Sequence, residues 1–179
     1  MTYLRLAAGA LSAIVAGTLI AGCAVSLAES PSPTSSMPPR TTTPTPSLSP
    51  EDQRLADAKA RVVLLWKTLD GLLIDPSRSL NELDPMVGGD ALTSLQLMIT
   101  QTEQAGEVQV GNTVVASQSA VAQGDTSIVT SCIDRSGASF VKSGKPVTPS
   151  PAPRLSHEDT VAVVGGYLKV TVDKVLGPC

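Results

Sequence analysis

The sequence predicts an α+β domain in which N-terminal helices pack on a curved antiparallel sheet of about four strands. Two observations carry this prediction. Apolar residues recur every three or four positions from Leu55 to Leu73 and again from Leu92 to Ile99, whereas after Gly106 the period drops to two and β-branched runs alternate with turn signals. Helices first and strands afterwards form a segregated order, which suits helices laid on an antiparallel sheet rather than alternating βαβ units.

The first helix has a marked start. Ser49 reads as N-cap, Pro50 as the first helical residue, and Glu51 and Asp52 as acids near the positive end of the dipole. Leu55, Ala58, Val62, Leu65, Trp66, Leu69 and Leu73 then form one apolar stripe. Asp75-Pro76 ends the helix, because proline disfavours the helical conformation in the residue before it. A short turn or helix falls around Leu80 and Leu83. Gly88-Gly89-Asp90 is too short for a phosphate loop and reads as a helix start, with Asp90 as cap, Leu92, Leu95, Met98 and Ile99 inward, and Gly106 as the close.

Val108 and Val110 alternate with polar neighbours, and residues 113–122 continue in β-branched and small residues to the turn Gln123-Gly124-Asp125. Residues 126–134 return as a second strand, and Arg135-Ser136-Gly137 separates them from a third run at 138–142. A proline-rich loop at 145–153 leads to a last extended run, 160–175, with Gly165-Gly166 as a bulge or bend. Thr113, Ser117, Ser119, Ser127, Ser131, Lys169 and Thr171 are expected on a water-facing side of the sheet.

This order of helix, short helix, helix and then a meander of long strands resembles the cone-shaped α+β fold of nuclear transport factor 2-like proteins and related small lipoprotein domains. The resemblance covers most of residues 50–179 and rests on element order. It implies a sheet wrapped around the first helix. In some members of that fold the cone encloses a cavity used by small-molecule binders and isomerases.

Residues 1–22 carry Arg5 as their only charge, an apolar core from Leu6 to Ile20, and small residues Ala21 and Gly22 before a cysteine. An apolar run of about 15 residues, interrupted by Gly9, Ser12, Gly17 and Thr18, falls short of the ~20 needed to cross a bilayer. The tetrapeptide Ile20-Ala21-Gly22-Cys23 resembles a bacterial lipobox. The resemblance implies removal of the 1–22 signal peptide and a diacylglyceryl lipid anchor, with palmitate-type chains, on Cys23. The mature protein would then sit on the extracytoplasmic face of the cell membrane, where two or more acyl chains hold stably and one alone holds marginally. Residues 23–49 read as the lipidated cysteine plus a Ser/Thr/Pro-rich tether, extended at about 3.1 Å per residue. Residues 50–179 are of a length for a single domain. Abundant Ala, Thr, Val and Pro with little Lys or aromatic content resembles proteins of high-GC actinobacteria or their phages.

With Cys23 reserved for lipid, Cys132 and Cys179 remain. An exported location permits oxidation, so a disulfide between them is expected, two free thiols being the alternative. A formal net charge of −3 gives no basic face for nucleic acid. Two cysteines and one histidine do not supply the four ligands of a structural zinc, and no metal or cofactor is expected. His157, the sole histidine, sits in Ser156-His157-Glu158-Asp159. Neighbours along a chain do not converge as a triad, so the expectation is a solvated histidine where a strand begins, with no catalytic residue. Asp70, Asp75, Glu82, Asp84 and Asp90 flank turns and read as caps and a solvated face; no glycine-centred calcium loop is present.

Trp66, Phe140 and Tyr167 are the aromatics of residues 50–179, few for a cavity walled by rings. Trp66 lies on the apolar stripe and belongs to the core. Tyr167, beside the double glycine, together with Lys169 is expected to line a contact surface. The expected function is a non-enzymatic interaction module, anchored to the membrane through Cys23, that contacts another envelope or extracellular protein or a cell-wall component. Phage-encoded superinfection exclusion is one specific form of it. The alternative, a small-molecule binding protein or isomerase using the cone cavity, requires an enclosed pocket with a convergent Asp, Glu, His or Tyr of shifted proton affinity.

Overall fold

The computed structural model describes residues 48–147 and 153–179. The signal peptide, Cys23 and the tether up to residue 47 lie outside the described residues, as does the 148–152 part of the proline-rich loop. Helix α1 spans Pro50–Ile74, a short 3-10 helix spans Leu80–Leu83, and helix α2 spans Gly89–Gln104. Among the described residues seven strands follow: β1 Glu107–Val110, β2 Val114–Gln123, β3 Thr126–Asp134, β4 Ser139–Lys142, β5 Lys145–Pro146, β6 Arg154–Val164 and β7 Tyr167–Pro178. They form a three-stranded sheet, β1-β4-β5, and a four-stranded sheet, β2-β3-β6-β7, all antiparallel. The class is therefore α+β, with helices before strands.

Helix α1 begins and ends where its sequence dictates. Ser49 Oγ accepts from the Asp52 N–H at 3.1 Å, and the Asp75 N–H closes the last turn on the Gly71 carbonyl. The stripe Ala58, Val62, Leu65, Leu69 and Leu73 is buried against Leu95 and Ile99 of α2 and Val129, Val161 and Val170 of the four-stranded sheet. Removal of a leucine side chain of this set from water contributes roughly 1.5–3 kcal/mol.

Four expectations are corrected. Asp90 does not cap α2. The N-cap is Gly88, which has no side chain to make a cap bond; its N–H bonds the Val170 carbonyl at 2.9 Å, and the Val170 N–H bonds the Met86 carbonyl at 2.8 Å. This pairing stitches the segment before α2 onto the edge of β7 and fixes where the helix begins. Met98 is 39% exposed rather than inward, since Leu95 and Ile99 already fill the facing side of α2.

Gly165-Gly166 is a two-residue hairpin turn and not a bend in one run. Both glycines have positive φ, 60° and 83°, which only glycine adopts without strain, and β6 and β7 pair from Val164↔Tyr167 back to Leu155↔Pro178. Ser127 and Ser131 do not face water either. They share the inner face of β3 with Val129 and Ile133, where small hydroxyls leave room for α1 and Gln118 Nε2 bonds both Ser131 Oγ and the Lys59 carbonyl.

Candidate functional site

Asp70 lies in phase with the apolar stripe, one position after Leu69 and three before Leu73, and α1 carries it into the interior. A buried carboxylate must be satisfied. Gln109 Nε2 donates to its Oδ1 at 2.7 Å, and the Thr113 N–H donates to Oδ2 at 2.8 Å, with the Thr113 hydroxyl at 3.0 and 3.1 Å from the two oxygens. This requirement inverts β1. Gln109 is 1% exposed and Val110 faces solvent, the reverse of the alternation expected from Val108 and Val110. Asp70 was placed by sequence on a solvated face, and that expectation is corrected: its hydrogen bonds tie α1 to β1 and to the loop before β2.

His157 is likewise not solvated. It lies within β6, 5% exposed, on the same inward face as Asp159 and Val161. Its Nδ1–H donates to Asp173 Oδ1 of β7 at 2.8 Å, and its ring meets Trp66 edge-on with centroids 4.9 Å apart. The sequence signal was available in the period-two pattern, since His157 and Asp159 alternate in step with the buried Val161. Asp159 is 1% exposed, and its Oδ2 has no hydrogen-bond partner among the described residues. Burial, and then the neighbouring Asp173, which stands opposite it across the strand pair, push its carboxyl up to about 8.

Between the helices and the sheet lies a cavity of about 170 Å³ whose polar lining is Asp70, Gln109, Thr113, Arg135, His157 and Asp173. Gln109 Oε1 is buried and has no hydrogen-bond partner among the described residues. Pockets that enclose drug-sized ligands run from about 300 to 1,000 Å³. The smaller volume suits a few waters or a ligand of a few atoms. Asp159, the interior group whose proton affinity is shifted, is not among the cavity's lining residues. The two requirements of the cavity reading thus fall on different side chains. Among the described residues no group of three His, Cys, Asp or Glu side chains converges as a metal site.

The other candidate is the β6–β7 hairpin tip. Val163, two residues beyond the buried Val161 on the same face of β6, is 67% exposed, and the cross-strand pair Val164 and Tyr167 on the opposite face is also in solvent, Tyr167 at 64%. Beside the tip, Asp57, Ala60, Arg61 and Leu64 of α1 and Leu168 of β7 border an open groove of about 320 Å³. Lys169 is half-buried, its stem passing over Gly88, so Tyr167 rather than Lys169 is the projecting group. Cys132 and Cys179 are joined by a disulfide, their Cα atoms 5.9 Å apart. Among the described residues no helix is long and apolar enough to cross a membrane.

The geometry defines a small helix-on-sheet α+β module with an exposed hairpin tip and a buried polar interior in which Asp70 and His157 are hydrogen-bonded. No protein-family model matches the chain, and no curated protein matches it. By structure it is similar to the intermembrane space region of the chloroplast protein ARC6, with a TM-score of 0.51, 18% identity, and 74% of this chain and 99% of that one covered. That likeness is one of fold. Lower-scoring likenesses are to an NTF2-like protein from Cytophaga hutchinsonii, with TM-score 0.46, 11% identity and 73% and 99% of the two chains covered. The Kfla4162 protein from Kribbella flavida follows, with TM-score 0.44, 6% identity and 71% and 90% covered.

Proposed function

We propose that this chain is an exported, lipid-anchored and non-enzymatic interaction module of the cell envelope. Cys23 would carry the anchor and the β6–β7 hairpin tip would meet an envelope or extracellular protein. The observation that carries the reading is the exposure of Val163, Val164 and Tyr167 together at one turn. Large apolar side chains grouped in solvent mark contact sites more often than isolated ones do, and tyrosine supplies contact area at low entropic cost. The interior supports the same reading, because Asp70 accepts from Gln109 and Thr113, and His157 is engaged by Asp173 and covered by Trp66. A tether rich in Ser, Thr and Pro suits a domain that must reach a partner away from the bilayer.

The test is site-specific photocrosslinking from position 167 of the full chain in membranes of an expressing host. One discrete adduct is expected, lost when Val163→Asp is added, and Cys23→Ala should move the protein to the soluble fraction. Absence of an adduct, or membrane retention of the Cys23→Ala protein, would contradict the proposal. Superinfection exclusion, the specific form, requires that phage plating efficiency fall on cells expressing the chain and recover with Tyr167→Ala; unchanged plating rules that form out.

A further inference from the structure

In the four-stranded sheet β2 and β7 are the edge strands, and they are finished differently. Along β7 the Met86–Gly88 segment bonds Val170 in both directions, Lys169, Asp173 and Lys174 supply charge, two register shifts interrupt the pairing with β6, and Pro178 ends the strand. These are the devices by which native sheets block addition of a further strand. Strand β2 lacks the charge and the proline. It reads VVASQSAVAQ, and its one register shift lies near its start, between Val115 and Ser117. Among the described residues no strand pairs with its outer side.

Gln123 and Thr126 flank the two-residue Gly124-Asp125 turn and form the closing pair of the hairpin. Alternation from that pair directs the backbone groups of Ser117, Ser119 and Val121 toward β3, and those of Gln118, Ala120 and Ala122 toward the open edge. Such a row of unpaired donors and acceptors is a template for one more strand. The composition of the row says which strand fits. Ala120 is the midpoint of the regular run from Ser117 to Gln123. Antiparallel pairing with a copy of itself sets Ala120 against the partner's Ala120, Gln118 against the partner's Ala122, and Ser119 against the partner's Val121. No charge opposes a like charge and no bulky side chain meets another. Beside the start of β2 lies a groove of about 480 Å³ with a mixed lining, apolar at Val63, Trp66, Val114 and Val115 and polar at Lys67, Asp70, Asn112 and Thr113.

We propose that this chain forms a symmetric dimer by antiparallel β2–β2 pairing, joining two four-stranded sheets into one. The pairing is independent of the partner surface at Val163 and Tyr167. Sedimentation velocity of the full chain in detergent micelles should show twice the protein mass of a single chain at tens of micromolar. Ser119→Lys with Val121→Lys changes two solvent-facing side chains and sets like charges opposite one another across the axis, so it should give the single-chain mass. Ser119→Glu with Val121→Glu should do the same, and an equimolar mixture of the two variants should recover the doubled mass. Thermal melts of each variant show whether the fold survives. A wild-type chain of single mass at every concentration would overturn the proposal. So would lysine variants that still dimerise, or folded variants whose mixture stays monomeric.

Discussion

Asp159→Asn is expected to stabilise the domain at pH 8 by several kcal/mol and to flatten its stability between pH 4 and pH 8. The carboxyl of Asp159 is buried on the inner face of β6, one oxygen has no partner among the described residues, and Asp173 stands across the strand pair. Burial first and Asp173 second raise its pKa from 3.8 to about 8. Below pH 3.8 folded and unfolded chains both hold the proton, so the group contributes no pH dependence there. Between 3.8 and about 8 the unfolded chain loses the proton and the folded chain keeps it, so unfolding releases a proton and stability falls as pH rises. Above about 8 both are ionised and the penalty is constant. At 1.36 kcal/mol per unit, the full span is on the order of 5 kcal/mol. Asparagine keeps the shape and carries no charge to bury, so its variant should lack this slope. Urea titrations at pH 5 and pH 8 decide the matter: wild-type protein of equal stability at both values, or an asparagine variant less stable than wild type at pH 8, would refute the assignment. Asp159→Leu should also be more stable than wild type at pH 8, which separates loss of the charge from any new hydrogen bond made by the amide.

The contrast between α1 and β1 shows what a sequence of this kind discloses. Every determinant of α1 is local: the Ser49 cap, Pro50, the stripe, and Asp75-Pro76 act within a few residues of where they stand, and the helix runs from Pro50 to Ile74 accordingly. β1 depends on a residue 39 positions away, because Asp70 recruits Gln109 to the interior and leaves Val110 in solvent. A period-two pattern names the two faces of a strand but not which of them the rest of the chain needs. The same limit applies to Ser127 and Ser131, whose polarity suggests water and whose register with Val129 and Ile133 places them under α1. Asp70, His157 and Asp159 were nevertheless legible in one respect, since each lies in phase with apolar residues that are buried. Their hydrogen-bond partners were not, because Asp70–Thr113 and His157–Asp173 join separate elements. The double glycine could be read as a break in the last run. Its positive φ angles at both positions, which make it a turn that reverses the chain, follow only once β6 and β7 are seen to pair.

Loss of the Cys132–Cys179 bond is expected to lower stability by about 4 kcal/mol, the chain-entropy value for a closed loop of this size. The cysteines are 47 residues apart in sequence; Cys132 lies on β3 and Cys179 directly follows β7, with β6 between those two strands. Cys132 stands opposite Ser156 of β6, which in turn stands opposite Gly177 of β7. The terminal residue therefore reaches back across β6 at its small serine. Gly177, with φ at 133°, supplies a backbone conformation that a side chain would disfavour there. The bridge lies on the outer face of the sheet, since Ser131 and Ile133 on either side of Cys132 face inward. It fastens the end of a strand that would otherwise fray. Because the bond closes a long loop outside the hydrophobic core, its removal should leave the fold recognisable while the melting temperature falls by roughly 15 °C. Calorimetry of wild-type protein with and without reductant, beside the Cys132→Ser/Cys179→Ser variant, measures this directly. Coincident transitions in all three samples would show that the bridge does not constrain the unfolded chain. A variant without native circular dichroism would show instead that the core cannot hold β7 in place without it.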